Sequence, residues 1–286
     1  MPKQNKEQEG EYTIVDTRWE RWDTDIVDKI CKLAEPKFKG FRGQFNEWGQ
    51  FYLTLKEIKS KILKGKIKVD YLYKKNSQRD WGRQYAKDGL GLQTCWRPFR
   101  KILSQKFYHD VDICNAHPVI LQQICKKMDL ECPILTRYIK ERSDILKKYA
   151  PLGFGRDEIK TFYISLLNGG GLKKFRKEPA ELTAFNISFW EEMAVINKEL
   201  WEMDDFEMER KTAIQEWGEL TELNKQKKRK GREDPECIRA KFLALVEHKQ
   251  ENKILEKMIT FFEGKDFYVG VKVFDGCMIE RREDLE

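Results

Sequence analysis

The chain has 286 residues, 40% hydrophobic and 36% charged, with a formal net charge of +7 and a pI near 8.8. This is the composition of a globular protein of one large or two small domains, and it excludes a histone-like or wholly basic chain. The modest positive bias favours a phosphate-rich partner, although it also fits a merely soluble surface.

No apolar run approaches membrane-spanning length. The polar start, Met1 to Glu11, lacks the hydrophobic segment of a secretion signal and reads as a disordered tail. The expected location is therefore intracellular, cytoplasmic or nucleoid/nuclear, with no membrane partner. Seven cysteines form no CxxC pair and no compact disulfide framework, so reduced thiols are the simplest reading. With His109, His117 and His248 the only histidines, no zinc spacing is recognisable, and a hard ion held by carboxylates is the better expectation.

In chain order, Thr24 to Ala34 has helical apolar spacing, and Pro36 stops that helix. Phe38, Phe41, Phe45, Trp48, Phe51 and Tyr52 read chiefly as packing aromatics, with base stacking the rival use. A helix around Leu55 to Leu63 gives way to Ile67, Val69, Tyr71 and Tyr73, which alternate as a half-buried strand does, and Asn76-Ser77 turns the chain. Arg83, Gln93, Arg97, Arg100 and Lys101 then form a candidate nucleic-acid groove, or else a solvated helix face.

A short strand pattern, Phe107 to Asp112, runs into a helix for which Asn115 is the expected cap, with Pro118 in the first turn. Thr136 to Tyr149 reads as a helix, and a break at Pro151 to Gly155 precedes another at Arg156. Helical geometry predicts Arg156, Lys160, Tyr163 and Leu167 on one face, with Ile159, Phe162 and Leu166 on the buried side. Asn168-Gly169-Gly170-Gly171 stops it and leaves backbone open to close approach. Helices are expected over Ala180 to Met203, Glu207 to Leu223 and Pro235 to Phe262, separated in the last case by a cationic loop, Lys225 to Arg232. Phe267 to Phe274 and Cys277 to Ile279 read as a hairpin turning at Asp275-Gly276.

Asp112 and Asp275 thus both border turns at strand ends, where a rigid sheet presents a functional group. Two carboxylates about 4 Å apart repel by roughly 4 kcal/mol at an effective dielectric near 20, so their convergence is favoured by bound cations. The Arg156/Lys160 face supplies positive charge for a triphosphate, and Lys160 could protonate a leaving pyrophosphate. Asp110, on the same strand face as Asp112, is a rival or auxiliary ligand.

These three stretches, in this order, resemble motifs A, B and C of the palm-type nucleic acid polymerases. Asp112-Ile113-Cys114-Asn115-Ala116-His117-Pro118 is similar to the metal-binding Asp strand and helix, and to the DxxSLYPS motif of family B DNA polymerases. Arg156-x3-Lys160-x7-Asn168-Gly169 resembles the RxxxKxxxxxxxYG helix of family A DNA polymerases and single-subunit phage-type RNA polymerases. Val273-Phe274-Asp275-Gly276 resembles their HD motif. Over Gly82 to Glu280 the chain is most similar to the transposon and virus polymerase group, related to family A, whose pattern GR...LQ...R..R...DIDI.NAHP...K.......NGG...HDG it nearly reproduces.

The resemblance implies an α+β right-hand fold with a small antiparallel palm sheet, mostly helical fingers and a mostly helical N-terminal region. Its parts would be a disordered tail (1–12), a thumb-like primer-template support (13–105), palm (106–135), fingers (136–234) and palm again (235–286). It implies a template-directed nucleotidyltransferase, a DNA polymerase in preference to an RNA polymerase, using two Mg2+ ions, or Mn2+, held by Asp112, Asp275 and the Ile113 carbonyl. Asp112, Asp275 and Lys160 would be catalytic; Arg156, Lys160, His117, Asn168 and Gly169 would bind the nucleotide, with His117 sensing the sugar. Partners would be a DNA (or RNA) primer-template, nucleoside triphosphates, and a helicase or primase. Phe274 replaces the usual motif C histidine, and Asn168 stands where family A has tyrosine, so base-pair checking does not carry over. The alternatives are a catalytically inactive nucleic-acid-binding replication or repair factor and a metal-dependent nuclease.

Overall fold

A computed structural model describes residues 14–32, 48–73, 80–172, 179–226 and 235–282. The 1–12 tail, Pro36, Phe38, Phe41, Phe45, the Asn76-Ser77 turn and residues 227–232 of the cationic loop lie outside that set, as do the side chains of Trp48 and Phe51. The chain is α+β and divides into two units, one of Met1–Asp112 with Asn252–Glu286, the other of Ile113–Glu251.

The first unit contains two three-stranded antiparallel sheets. In one, β1 (Ile14–Arg21) pairs with β2 (Lys66–Leu72), which pairs with the short β3 (Tyr85–Ala86). The alternation expected in β2 is present: Ile67, Val69 and Tyr71 are buried. The strand β1 has no such signal, because only Glu20 in it is buried and its apolar Ile14, Val15 and Trp19 are exposed. The second sheet has the order β4 (Tyr108–Asp112), β6 (Gly276–Glu280), β5 (Val269–Val273).

Each face of this second sheet is covered by apolar side chains. Tyr108, Val271 and Met278 join a core with Trp22, Val27, Leu55 and Leu103, to which α1 (Thr24–Lys32), α2 (Trp48–Lys61) and α3 (Arg97–Ser104) contribute. Val269, Cys277 and Ile279 pack on the other side against Leu255 and Ile259 of the C-terminal half of α9 (Pro235–Glu263). The N-terminal region shares one core and one unit with the strands that carry Asp112 and Asp275. Hydrogen bonds tie it there as well: Arg21 N donates to Tyr108 Oη (2.7 Å) and Trp19 N to Tyr268 Oη (2.8 Å).

The second unit is helical. It holds α4 (Ala116–Lys127), α5 (Pro133–Lys147), α6 (Arg156–Leu167), α7 (Ala180–Glu202), α8 (Glu207–Gln226) and the start of α9. Tyr138, Tyr163 and Phe189 from α5, α6 and α7 stack edge to face or tilted, with centroids 4.5–5.5 Å apart. Their buried hydroxyls are satisfied locally, since Tyr163 donates to Asn186 Oδ1 (2.7 Å) and Asn186 Nδ2 donates to Tyr149 Oη (2.8 Å). All seven cysteines are free thiols. Among the described residues, no helix is long and apolar enough to cross a membrane.

Candidate active site

The register of the second sheet brings two residues distant in sequence to neighbouring backbone positions. Asp112, the last residue of β4, is paired with Gly276, the first residue of β6, and Asp275 directly precedes Gly276. The approach depends on glycine. A Cβ at position 276 would stand 2.4 Å from the Val111 carbonyl oxygen and 3.1 Å from both Cα and Oδ1 of Asp112. The strands can close at this point only because Gly276 has no side chain.

The hairpin turn differs by one residue from the Asp275-Gly276 turn expected from sequence. Val273 pairs with Gly276, so Phe274 and Asp275 form the turn. Phe274 adopts φ +26°, a region unfavourable to a bulky side chain, at a cost of about 1–3 kcal/mol. Two contacts offset it: the Tyr85 ring meets Phe274 edge-on at 5.3 Å, and the Arg83 guanidinium lies 4.8 Å from its centroid. Thus Arg83, expected in a nucleic-acid groove, packs on the turn that presents Asp275.

Behind the turn, β5 is held by a buried cation. Lys272 Nζ bonds Asp16 Oδ2 (2.7 Å), Glu256 Oε1 (2.9 Å) and Gln84 Oε1 (2.8 Å). The Lys272 carbonyl accepts from Gln93 Nε2 (3.0 Å), which also bonds the Gln84 carbonyl, while Gln93 Oε1 accepts from Ala86 N. Gln93 is buried and engaged at both ends of its amide, so it braces the fold and does not line a groove. No sequence pattern marks Lys272, because a lysine in an alternating strand reads as solvated.

The strand β4 lies at the sheet edge; Tyr108, Asp110 and Asp112 share one face, on which Tyr108 is buried and Asp110 and Asp112 are exposed. Asp275 is half-buried, and Ile113, also half-buried, follows Asp112 directly. Asn115 enters α4 in a left-handed conformation (φ 56°, ψ 44°) and makes no side-chain cap, contrary to expectation.

In the second unit, Arg156 opens α6 and is exposed, and Lys160 Nζ pairs with Asp157 Oδ1 at 3.0 Å. Tyr163 and Leu167, expected beside them on the cationic face, are both 1% exposed. The aromatic cluster of α5 and α7 covers Tyr163, which narrows the basic face to its first two turns. Asn168, Gly169 and Gly170 form a Schellman stop: Gly169 N donates to Leu166 O (3.0 Å) and Gly170 N to Ser165 O (2.6 Å), with Gly169 at φ +78°. A Cβ on Gly170 would come within 2.1 Å of Ser165 Oγ. These residues thus have a complete structural role in ending α6.

His117, near the start of α4, is set between two buried glutamates of α9. Its Nδ1 lies 2.9 Å from Glu247 Oε2 and its Nε2 3.2 Å from Glu251 Oε1. Burial alone would lower the imidazole pKa, but hydrogen bonds and ion pairs with Glu247 and Glu251 outweigh it and raise the value to about 10. Both ring nitrogens are therefore directed at protein carboxylates.

No family model matches the sequence, and no solved structure matches it. Among curated proteins the chain is similar to "Putative helicase V13" of Sputnik virophage, with 26% identity over 221 residues. That likeness takes in 75% of this chain and 26% of the virophage protein, so the chain spans about a quarter of that relative's length.

Chemically, the end of the second sheet offers oxygen donors on a rigid frame. Among the described residues no group of three His, Cys, Asp or Glu side chains is placed to hold a metal ion. A pair of accessible carboxylates instead suits a hard cation such as Mg2+, which keeps several waters and takes one or two carboxylates plus substrate phosphates. Exposed Arg97 and Lys101 and half-buried Arg100, all on α3, line a pocket of about 370 Å³ in the same unit.

Proposed function

We propose that this chain is a template-directed nucleotidyltransferase of the polymerase type, extending a DNA primer. The observation that carries the reading is the register that sets Asp112 opposite Gly276, next to Asp275. Two carboxylate residues from distant parts of the chain are then neighbours at one end of the sheet, which supports phosphoryl transfer with metal assistance.

In this reading Asp112, Asp275 and the Ile113 carbonyl hold Mg2+, which when bound lowers the cost of negative charge on the reacting phosphate oxygens. Lys272, Gln93 and the Phe274 contacts keep the Asp275 hairpin fixed, so the two carboxylates stay in register without reorganising. The resemblance assigns Arg156 and Lys160 to the triphosphate, with Lys160 as the proton donor to the departing pyrophosphate. The primer 3′-hydroxyl forms the new P–O bond, its proton passes to solvent, and the bond to pyrophosphate breaks.

The virophage relative is described as a helicase, and the chain spans about a quarter of it. A helicase motor needs a phosphate-binding GxxxxGK[ST] loop. This chain has Gly-Lys at Gly65-Lys66 and Gly264-Lys265, but Ser60 and Ile259 occupy the positions of the first glycine. The relative's described activity therefore has no recognised motor loop in this chain, and the proposal for the chain remains a polymerase, with a helicase or primase as the proposed partner.

Extension of a labelled primer on a DNA template, with Mg2+ and each nucleotide set supplied separately, tests the proposal. Wild type should incorporate deoxynucleotides, and Lys160→Ala should slow incorporation by about 10²-fold or more, the usual weight of a proton donor or charge clamp. Cleavage without added nucleotides would favour a nuclease instead. Binding of primed DNA with no extension would favour an inactive replication factor.

A further inference from the structure

The cationic pocket of the first unit includes residues outside the polymerase-like motifs. Besides Arg97, Arg100 and Lys101 of α3, its wall contains His109 and Asp110 of β4 and Arg281, which follows β6. Among the described residues, its lining has three arginines, one lysine and one carboxylate, Asp110. Arg281 is fixed at the rim by its own backbone: its N donates to the Phe107 carbonyl (2.8 Å), and its Nε donates to the Gln105 carbonyl (2.9 Å). These bonds set the direction of the Arg281 side chain. Tyr108 and Met278, both buried, form an apolar floor.

We infer that this pocket binds a backbone phosphate of the nucleic-acid strand that leads to Asp112 and Asp275, with Arg100 and Arg281 as its two principal donors. Concentrated positive charge on a concave, partly fixed surface recognises phosphate, and arginine forks suit its oxygens. The volume of about 370 Å³ accepts a sugar-phosphate unit as well as the anion itself. Placement favours a strand as the source of that phosphate. Asp110 in the pocket wall precedes Asp112 by two residues on an extended strand, about 7 Å, or roughly two nucleotide steps of a duplex strand. The assignment to a strand entering the active site rests on the polymerase reading; binding of phosphate in the pocket does not.

The test is fluorescence anisotropy of labelled primed DNA with the full chain, without Mg2+ or nucleotides, from about 50 to 200 mM salt. Arg100→Gln combined with Arg281→Gln should weaken binding at least 10-fold and lower the slope of log affinity against log salt by about one, for the one phosphate that the pair no longer neutralises. The Lys versions of both substitutions should keep most of the slope, which separates charge from damage to the fold. Asp112→Asn should keep the slope entirely. An unchanged affinity and slope in the Gln double variant, with an unchanged melting temperature, would overturn the inference. So would unchanged DNA binding with a raised KM for deoxynucleotides, which would assign the pocket to the free triphosphate. If the slope falls as expected but wild type extends no primer, the pocket stands and the polymerase reading falls.

Discussion

Single residues in this protein often carry charge where composition would place it in water. Glu20 is fully buried, its carboxylate accepting from Leu92 N (2.7 Å) and Tyr71 Oη (2.9 Å). Burial pushes its pKa up to about 7, with the bonds from Leu92 and Tyr71 opposing. A raised acid pKa means that the fold favours the protonated form, so stability is highest below the ordinary value near 4.5 and is lost as pH rises to 7. Glu20→Gln keeps the shape and removes that loss. The variant should match wild type within about 0.5 kcal/mol at pH 5 and exceed it by about 2 kcal/mol at pH 8.5 in urea denaturation.

Glu20 and Lys272 also show where sequence reading stops. Both lie on strands, and nothing local distinguishes a buried ion held by Tyr71, Asp16 or Gln84 from a solvated one. Asp112 and Asp275 are visible in the sequence because their turns and spacing mark them. The arrangement around them, with Arg83 on Phe274 and Gln93 under Lys272, depends on contacts between distant segments.

At the scale of elements, the helices α1, α5, α7, α8 and α9 and the strand β2 are legible from apolar periodicity, whereas β1 is hidden by its exposed residues. The hairpin is legible too, but its turn is not. Asp-Gly is a favourable two-residue turn by sequence; the fold instead uses Gly276 inside the ladder, where β4 approaches too closely for any side chain. The same close approach predicts the effect of Gly276→Ala. The added methyl must separate β4 from β6 or displace the Asp112 carboxylate, at a cost of about 1–3 kcal/mol. Primer extension should drop more than 10-fold, because the substitution disturbs the strand end that carries Asp112.

Taken as a whole, the molecule contains two units, each with a buried group whose protonation the fold favours. Glu20 serves the first, and His117, raised to about 10 by Glu247 and Glu251 against the cost of burial, serves the second. For histidine the sign is the same in effect: its contribution is complete below the ordinary value near 6.5 and disappears as pH rises to 10. Overall stability should therefore fall between pH 6 and pH 10, by on the order of 3 kcal/mol or more. His117→Gln should flatten that decline in denaturation curves recorded at pH 7 and pH 10; an equally steep decline in the variant would remove His117 from the explanation.

The central claim is that Asp112 and Asp275 act as one catalytic pair. Its most direct measurement is the rate of single-nucleotide incorporation into a saturating primed DNA, with Mg2+ varied, for wild type, Asp112→Asn, Asp275→Asn and the double variant. Each single variant is expected to lose at least about 10³-fold and the double variant to be little worse than either, because residues acting as a unit are not additive. Incorporation persisting near the wild-type rate in Asp112→Asn or Asp275→Asn, with unchanged Mg2+ dependence, would contradict it.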